Sequence, residues 1–477
     1  MKTYHFKIIF VLVLTSLIGC EEQLDEEVFS ELSPSTLLNS EQGLSTLLNA
    51  SYSYSHRSGD DESWSPYYLG TMPAGEVWGA GGSIESAWQS LINYTWDSNH
   101  GQLLPVWIVY FSSIRDANLV LDNLENVSFS SNFRQRTKAE VHFLRGWAYS
   151  ELYKLFGRMP LYRTSTDDPL LPRSTDEETQ AFIEQELLEA VATLPTQPAA
   201  FGRASKGVGM SVLAKFYLNT KQWQKAADIS LELIDLGLYN LLPNYSDVFE
   251  ISNEGNTEII WALPKDATAN GASQFMNALI FPPDYPRPFP NNSVFAARTY
   301  LFDNFVNSFE SSDTRISRII TQWESTATGE LVMGLGNDQS HPYKLPFDPN
   351  AVGASAGNDI IVVRYADILL TRAEALNEIN GPTQESIDLI NEVRNRAGAT
   401  PLNLGSYNKE SLRDAILRER EWEFYFEGNA REDQIRHGVM ISRAQARGKN
   451  AQDFHVLYPI PQRELDANTN LEQNPGY

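Results

Sequence analysis

The chain has 477 residues, of which 42% are apolar and 11% aromatic, enough to bury one large body or two or three ordinary domains. Its net charge of −24 argues against nucleic acid and anionic lipid surfaces as partners. Cys20 is the single cysteine, so no disulfide forms within the chain and the core holds by packing alone.

Residues 1–20 read MKTYHFKIIFVLVLTSLIGC, with Lys2 and Lys7 as a short basic start and a near-apolar run from Ile8 to Ile18. A run of that length fits a secretory signal and is too short to span a bilayer. Cys20 follows Leu17-Ile18-Gly19 and precedes Glu21 and Glu22. The arrangement looks like a bacterial lipoprotein signal, in which 1–19 is removed and Cys20 is acylated on sulfur and becomes the mature N-terminus. Losing Lys2 and Lys7 moves the net charge from −24 to −26. Residues 20–36 then form an acidic tether. No second stretch of eighteen apolar residues occurs.

Residues 58–107 combine Gly-rich turns with many aromatics and are expected to be irregular but ordered. Helix–turn–helix units follow. One pairs Ile108–Leu124 with Arg134–Phe156, and another pairs Ala204–Asn219 with Trp223–Leu236, with Ala214, Tyr217, Ala226 and Ala227 at the contact. Residues 262–293 hold Phe281-Pro282-Pro283-Asp284-Tyr285-Pro286-Arg287-Pro288, whose prolines forbid regular structure. Residues 325–360, rich in Gly, Asp and Asn, read as another long loop. A stripe of Val362, Ala366, Leu369, Ala373 and Leu376 marks an amphipathic helix ended by Gly381-Pro382. Thr383 caps the next, which continues through Ile387, Ile390 and Val393 to Gly398. The pattern predicts a mainly α, tetratricopeptide-like helix-pair scaffold carrying a loop-built face.

Five of the ten tryptophans (Trp64, Trp78, Trp88, Trp96, Trp107) fall within 44 residues, together with Tyr67, Tyr68 and Tyr94. A pyranose offers a flat C–H face ringed by hydroxyls, so an exposed aromatic plane flanked by polar side chains suits it. Trp88 and Trp107 have apolar neighbours and read as core. Trp78 and Trp96, amid Gly, Asn and Asp, are the first ligand-binding candidates, with Tyr285 as a wall and Trp64, Tyr67 and Trp323 as further candidates. Arg287 and Arg298 are the local cations that offset the acidic surplus if the ligand is anionic.

Gly353-Ala354-Ser355-Ala356-Gly357 matches a nucleophile elbow but lacks the strand before and helix after that the motif needs. Gly334-Leu335-Gly336 lacks the third glycine of a dinucleotide loop, and no metal-ligand spacing occurs among the seven histidines. The dense run from Glu419 through Glu423 and Glu427 to Arg436 stacks like charges at helical spacing. It reads as a structural ion network, with Arg364, Arg372 and Arg394 as donors, ahead of a catalytic carboxylate cluster.

Several motifs occur together in order. They are the signal ending at Cys20, His142-Phe143-Leu144-Arg145-Gly146-Trp147-Ala148-Tyr149, Phe156-Gly157-Arg158-Met159-Pro160-Leu161 and Leu213-Ala214-Lys215-Phe216-Tyr217-Leu218. Arg364-Tyr365-Ala366-Asp367-Ile368-Leu369-Leu370, Arg394-Asn395-Arg396-Ala397-Gly398 and Glu419-Arg420-Glu421 follow, then Tyr458-Pro459-Ile460-Pro461 and Gln473-Asn474-Pro475-Gly476-Tyr477. On these the chain resembles the SusD/RagB family of outer-membrane nutrient-binding lipoproteins over essentially its whole length. Gly146 stands where an alanine is usual, and Arg158 where an acid often follows the glycine. The resemblance implies about four tetratricopeptide-like repeats, an N-terminal region 37–240 and a C-terminal region 241–477 in one compact body, and an irregular ligand-binding face. It further implies a lipid-anchored, surface-exposed outer-membrane protein without catalytic residues, cofactor or metal. Such a protein captures oligosaccharide for a SusC-like TonB-dependent transporter. Some relatives take peptides, so an oligopeptide ligand is one alternative; a polysaccharide-acting enzyme and a protein-binding scaffold are the others.

Overall fold

The computed structural model describes residues 37–57, 66–125, 129–268 and 273–477. The body is mainly helical, with short strands confined to a few ribbons. Nine helices form its frame: α1 (Glu41–Arg57), α2 (Leu103–Leu124), α3 (Ser131–Phe156), α4 (Asp176–Thr193), α5 (Lys206–Asn219), α6 (Trp223–Asp235), α7 (Tyr365–Asn380), α8 (Gln384–Arg396) and α9 (Lys409–Phe424). Each packs on the next in sequence up to α8, and α9 returns onto α7. Local chemistry sets the ends. Ser130, Thr175, Ser205, Thr383 and Asn408 each accept a backbone N–H from the first turn of α3, α4, α5, α8 and α9. The caps of α4, α8 and α9 close reciprocal boxes with Glu178, Ser386 and Ser411. Gly146 faces α4: a Cβ there would stand 2.8 Å from the Leu187 side chain, which accounts for glycine in place of alanine.

The helical array is interrupted once, between α6 and α7. Eight strands lie in or against that insertion: β1 (Val77–Ala80), β2 (Ile259–Leu263), β3 (Arg298–Leu301), β4 (Ile319–Ile320), β5 (Gln322–Glu324), β6 (Leu331–Met333), β7 (His341–Pro342) and β8 (Ile360–Arg364). The antiparallel β2–β8 pair ties the two ends of the insertion together, so α6 and α7 pack as though contiguous. The largest hydrophobic core among the described residues runs from Leu44 in α1 to Ile460 near the C-terminus, and two smaller clusters lie among α7, α8 and α9 and around Tyr245 and Phe249.

Two expectations change. Val362 belongs to β8, not to the helix after it, because Ile360–Val363 pairs with β2 before the helix begins at Tyr365. The 58–107 stretch contains β1 and regular helix at Pro66–Thr71 and Glu85–Asn93. Among the described residues no helix is long and apolar enough to cross a membrane, and no group of three or more His, Cys, Asp or Glu is placed to hold a metal ion.

Candidate ligand-binding face

Strand alternation builds the face. In β1, Val77 and Gly79 point inward while Trp78 and Ala80 point outward, half-buried. Gly79 is required here because the buried ring of Trp88 lies against it, and a Cβ would come within 2.3 Å of that ring. β1 pairs antiparallel with β3, setting Trp78 opposite Tyr300 and Ala80 opposite Arg298. The indole of Trp78 stacks on Tyr300 (4.6 Å between centroids, 25° between planes) and on Phe302 (6.2 Å, 29°). Its Nε1 donates to the carbonyl of Asp338 at 2.7 Å. Asp338 has φ 54°, a left-handed turn that Asp tolerates better than most residues. The ring is thus held by two stacked neighbours and at its polar edge, and stays half-buried on the outward side of β1.

The rings continue beyond Trp78. Tyr300 lies 5.0 Å from His341, and His341 lies 5.5 Å from Trp323. Trp323 is 8% exposed and donates to Asp284 at 3.3 Å, next to Tyr285 in the proline loop. Tyr285 is half-buried against Phe281 and Phe347. Asp284 O accepts the Thr326 N–H at 2.8 Å, so the proline loop is joined to the β5–β6 hairpin. Burial, with Arg298 nearby, pulls the His341 pKa down to about 4, so this imidazole is neutral at neutral pH. Burial likewise pushes the Tyr285 and Tyr300 phenols up.

Of the sequence candidates, the structure brings Trp78 and Tyr285 half-buried to this face, whereas Trp323 is buried next to it against His341. Trp96 is a correction: it is 4% exposed, packed by Tyr94, His455 and Tyr458, with Nε1 donating to Tyr477 Oη at 2.7 Å. Its Asn and Asp neighbours in sequence are replaced in space by the C-terminal segment. Tyr67 lies elsewhere, edge-on to Phe426 and lining a cavity of about 310 Å³ with Lys215 and Glu427. Trp64 and Cys20 lie outside the described residues. Trp88 and Trp107 are core, as expected. Tyr300 and Phe302 were missed, although Arg298, Tyr300 and Phe302 recur at every second position, the period of a strand with one open face.

The charged run on α9 is scaffold. Glu419 and Glu423 are fully buried. Arg315 pairs with both, Arg394 with Glu419, and Arg364 and Arg396 with Glu423. Burial pushes the Glu423 carboxyl up, but Arg396, Arg364 and Arg315 outweigh it and hold the group well below the usual range. Arg372, expected in this cluster, instead pairs with Glu385 and donates to Ala227 O at 2.6 Å, joining α6 to α7. Ser355 sits in a turn whose next element is strand β8, so the nucleophile-elbow context is absent.

Comparison with known proteins agrees with this architecture. The family model described as "SusD family" matches residues 341–477, and the one described as "Starch-binding associating with outer membrane" matches residues 22–218. SusD-like protein P25 of Formosa agariphila is 28% identical, covering 98% of this chain and 99% of its own. The starch-binding protein SusD of Bacteroides thetaiotaomicron is 26% identical over 88% of this chain and 87% of its own. A laminarin-binding SusD-like protein superposes with a TM-score of 0.80 at 24% identity, covering 92% of this chain and 100% of its own. With both ends of the sequence matched by models of one family and the fold shared along nearly its full length, the chain belongs to the SusD/RagB family.

Proposed function

We propose that this protein is a glycan-binding lipoprotein of the outer membrane. It captures oligosaccharide on the face built around Trp78 and passes it to a SusC-like TonB-dependent transporter. The observation that carries the reading is the indole of Trp78, half-buried on the outward side of β1, stacked on Tyr300 and Phe302 and pinned by Asp338. A fixed plane costs little entropy when a sugar stacks on it. Each aromatic contact contributes on the order of 1 kcal/mol, so about four of them give affinity near the millimolar range, suited to a protein that releases its ligand onward. The relatives named for starch and laminarin binding support binding over turnover, and the family description that places starch binding at the outer membrane supports the location. Cys20, through its acyl chains, supplies the anchor in this reading.

The test is affinity electrophoresis of the chain from Glu21 onward, which holds the whole described body, in gels containing each of a panel of polysaccharides. Product is sought by chromatography. Retarded migration without product, lost in Trp78→Ala, is the expected result. Release of product makes the protein an enzyme, and retardation unchanged in Trp78→Ala moves the site off this face.

A further inference from the structure

Arg298 is 6% exposed, yet among the described residues no carboxylate pairs with it. Every other buried arginine stands at ion-pair distance from an acid. Among the described residues, the one hydrogen bond its guanidinium makes runs from Nη1 to the carbonyl of Ala297, and the buried Nε has no partner there. A buried charge left without a counterion is costly, and folded chains rarely keep one without a use for it. Its position gives it one. Arg298 lies two residues from Tyr300 on β3, so the two side chains leave the same side of the strand, and the residue opposite, Ala80, offers only a methyl group. Burial pulls its pKa down and Tyr300 raises it, but no acid contributes.

The other end of the stack has the opposite character. Asp303 and Asp338 exchange hydrogen bonds with each other's backbone N–H groups at 2.7 and 3.1 Å beside Phe302. Arg298 and Phe302 are four residues apart, about 13 Å along an extended chain. The stack of rings is therefore flanked by a cation at one end and by carboxylates at the other.

Resting on the reading of this face as the glycan site, we propose that Arg298 is a specificity-determining residue, and that the glycan carries an anionic group, a uronate carboxylate or a sulfate ester, which pairs with its guanidinium. The planar fork of an arginine matches either oxyanion. The net charge of −24 does not forbid this, because at physiological salt a charge is screened beyond roughly 8 Å and the contact is local. Arg287, exposed in the proline loop and bonded only to Asn292 O at 2.7 Å, adds a second cation without an acidic partner.

The experiment compares matched polymers by calorimetry and affinity electrophoresis. Polygalacturonate is set against its fully methyl-esterified form, carrageenan against its desulfated form, and laminarin stands as a neutral glucan. The expected result is that one charged polymer binds at least about tenfold more tightly than its neutralised form, and the pair that shows it tells carboxylate from sulfate. Arg298→Gln should erase that difference, and Arg298→Lys should restore part of it. Because the guanidinium has no acid to leave stranded, Arg298→Gln should melt within a few degrees of the parent. Should it unfold instead, the decision rests on the parent protein, whose binding to the charged polymer must weaken as salt is raised. Neutral and charged polymers bound alike, no charged polymer bound, or Arg298→Gln binding as the parent does would each overturn the proposal. In the last case, loss of binding in Trp78→Ala keeps the glycan face intact, whereas normal binding in Trp78→Ala removes the face itself.

Discussion

Trp78 is half-buried on the outward side of β1, held by stacking on Tyr300 and Phe302 and by the Asp338 carbonyl at its edge. Trp78→Ala should therefore weaken glycan binding by about tenfold, the loss of one stacking plane, and barely move the melting temperature. Trp96→Ala should do the reverse. Its ring fills the space between Tyr94, His455 and Tyr458, so truncation leaves a cavity and costs roughly 3–5 kcal/mol. Calorimetry and thermal melts on the two variants separate these roles, and a stable Trp96→Ala protein that fails to bind would return Trp96 to the site. Glu76 makes a pH prediction. It is 5% exposed, with Oε1 accepting the Phe426 N–H at 3.1 Å and Oε2 without a partner. Burial outweighs that hydrogen bond and raises its pKa from 4.5 to about 8. Between those values the folded chain holds a proton that the unfolded chain has released, so this group's contribution falls as pH rises from 4.5 to about 8 and is level above. Glu76→Gln removes the titration. Its melting temperature relative to the parent should climb by a few degrees between about pH 5 and pH 8.5; a constant difference across that range would show that Glu76 titrates as an ordinary carboxylate.

At the scale of elements, Arg364 joins β8 to α9 by pairing with Glu258, Glu423 and Glu427 while 1% of its side chain is exposed. Arg364→Ala strands those carboxylates and should cost roughly 3–5 kcal/mol, read as a fall in denaturation midpoint. Normal melting with lost glycan binding would instead make the network part of the site. The helices that carry this network were legible in the sequence because their information is local. The stripe that defines α7, the Thr383 box that starts α8 and the Gly381 that ends α7 all lie within a few residues of what they specify. Their neighbour β8 was not, since a short apolar run such as Ile360–Val363 is equally good strand or helix until its partner β2 is known. The candidate face was half legible for the same reason. Trp78 stands out by its Gly-rich surroundings, but the strand that makes it a platform lies more than two hundred residues away, and only the β1–β3 register brings Tyr300 and Arg298 to it. Trp96 misled because polar sequence neighbours say nothing about which distant segment closes over a ring.

At the scale of the whole molecule, the largest core among the described residues draws on both the helical array and its insertion, and in the proposed function the attachment to a membrane comes from outside that core. Among the described residues no helix is long and apolar enough to cross a bilayer. Electrostatic adhesion is unfavourable too, because a net charge of −24 is repelled by anionic headgroups. In the proposed function, attachment falls to Cys20 and its acyl chains. One chain binds only marginally and reversibly, whereas the several chains of a lipoprotein anchor resist washing with salt. Cys20→Ala should leave the fold and the glycan affinity of the body unchanged, since among the described residues the buried core begins at Leu44, yet release the protein from the membrane fraction. The comparison is made in cells lacking the transporter, so that docking onto a membrane partner does not imitate an anchor. There the parent protein should stay with the outer membrane through a high-salt wash while the variant appears in the soluble fraction. A variant retained on the membrane under those conditions would mean that some other part of the chain holds lipid, and the assignment of the anchor to Cys20 would fall.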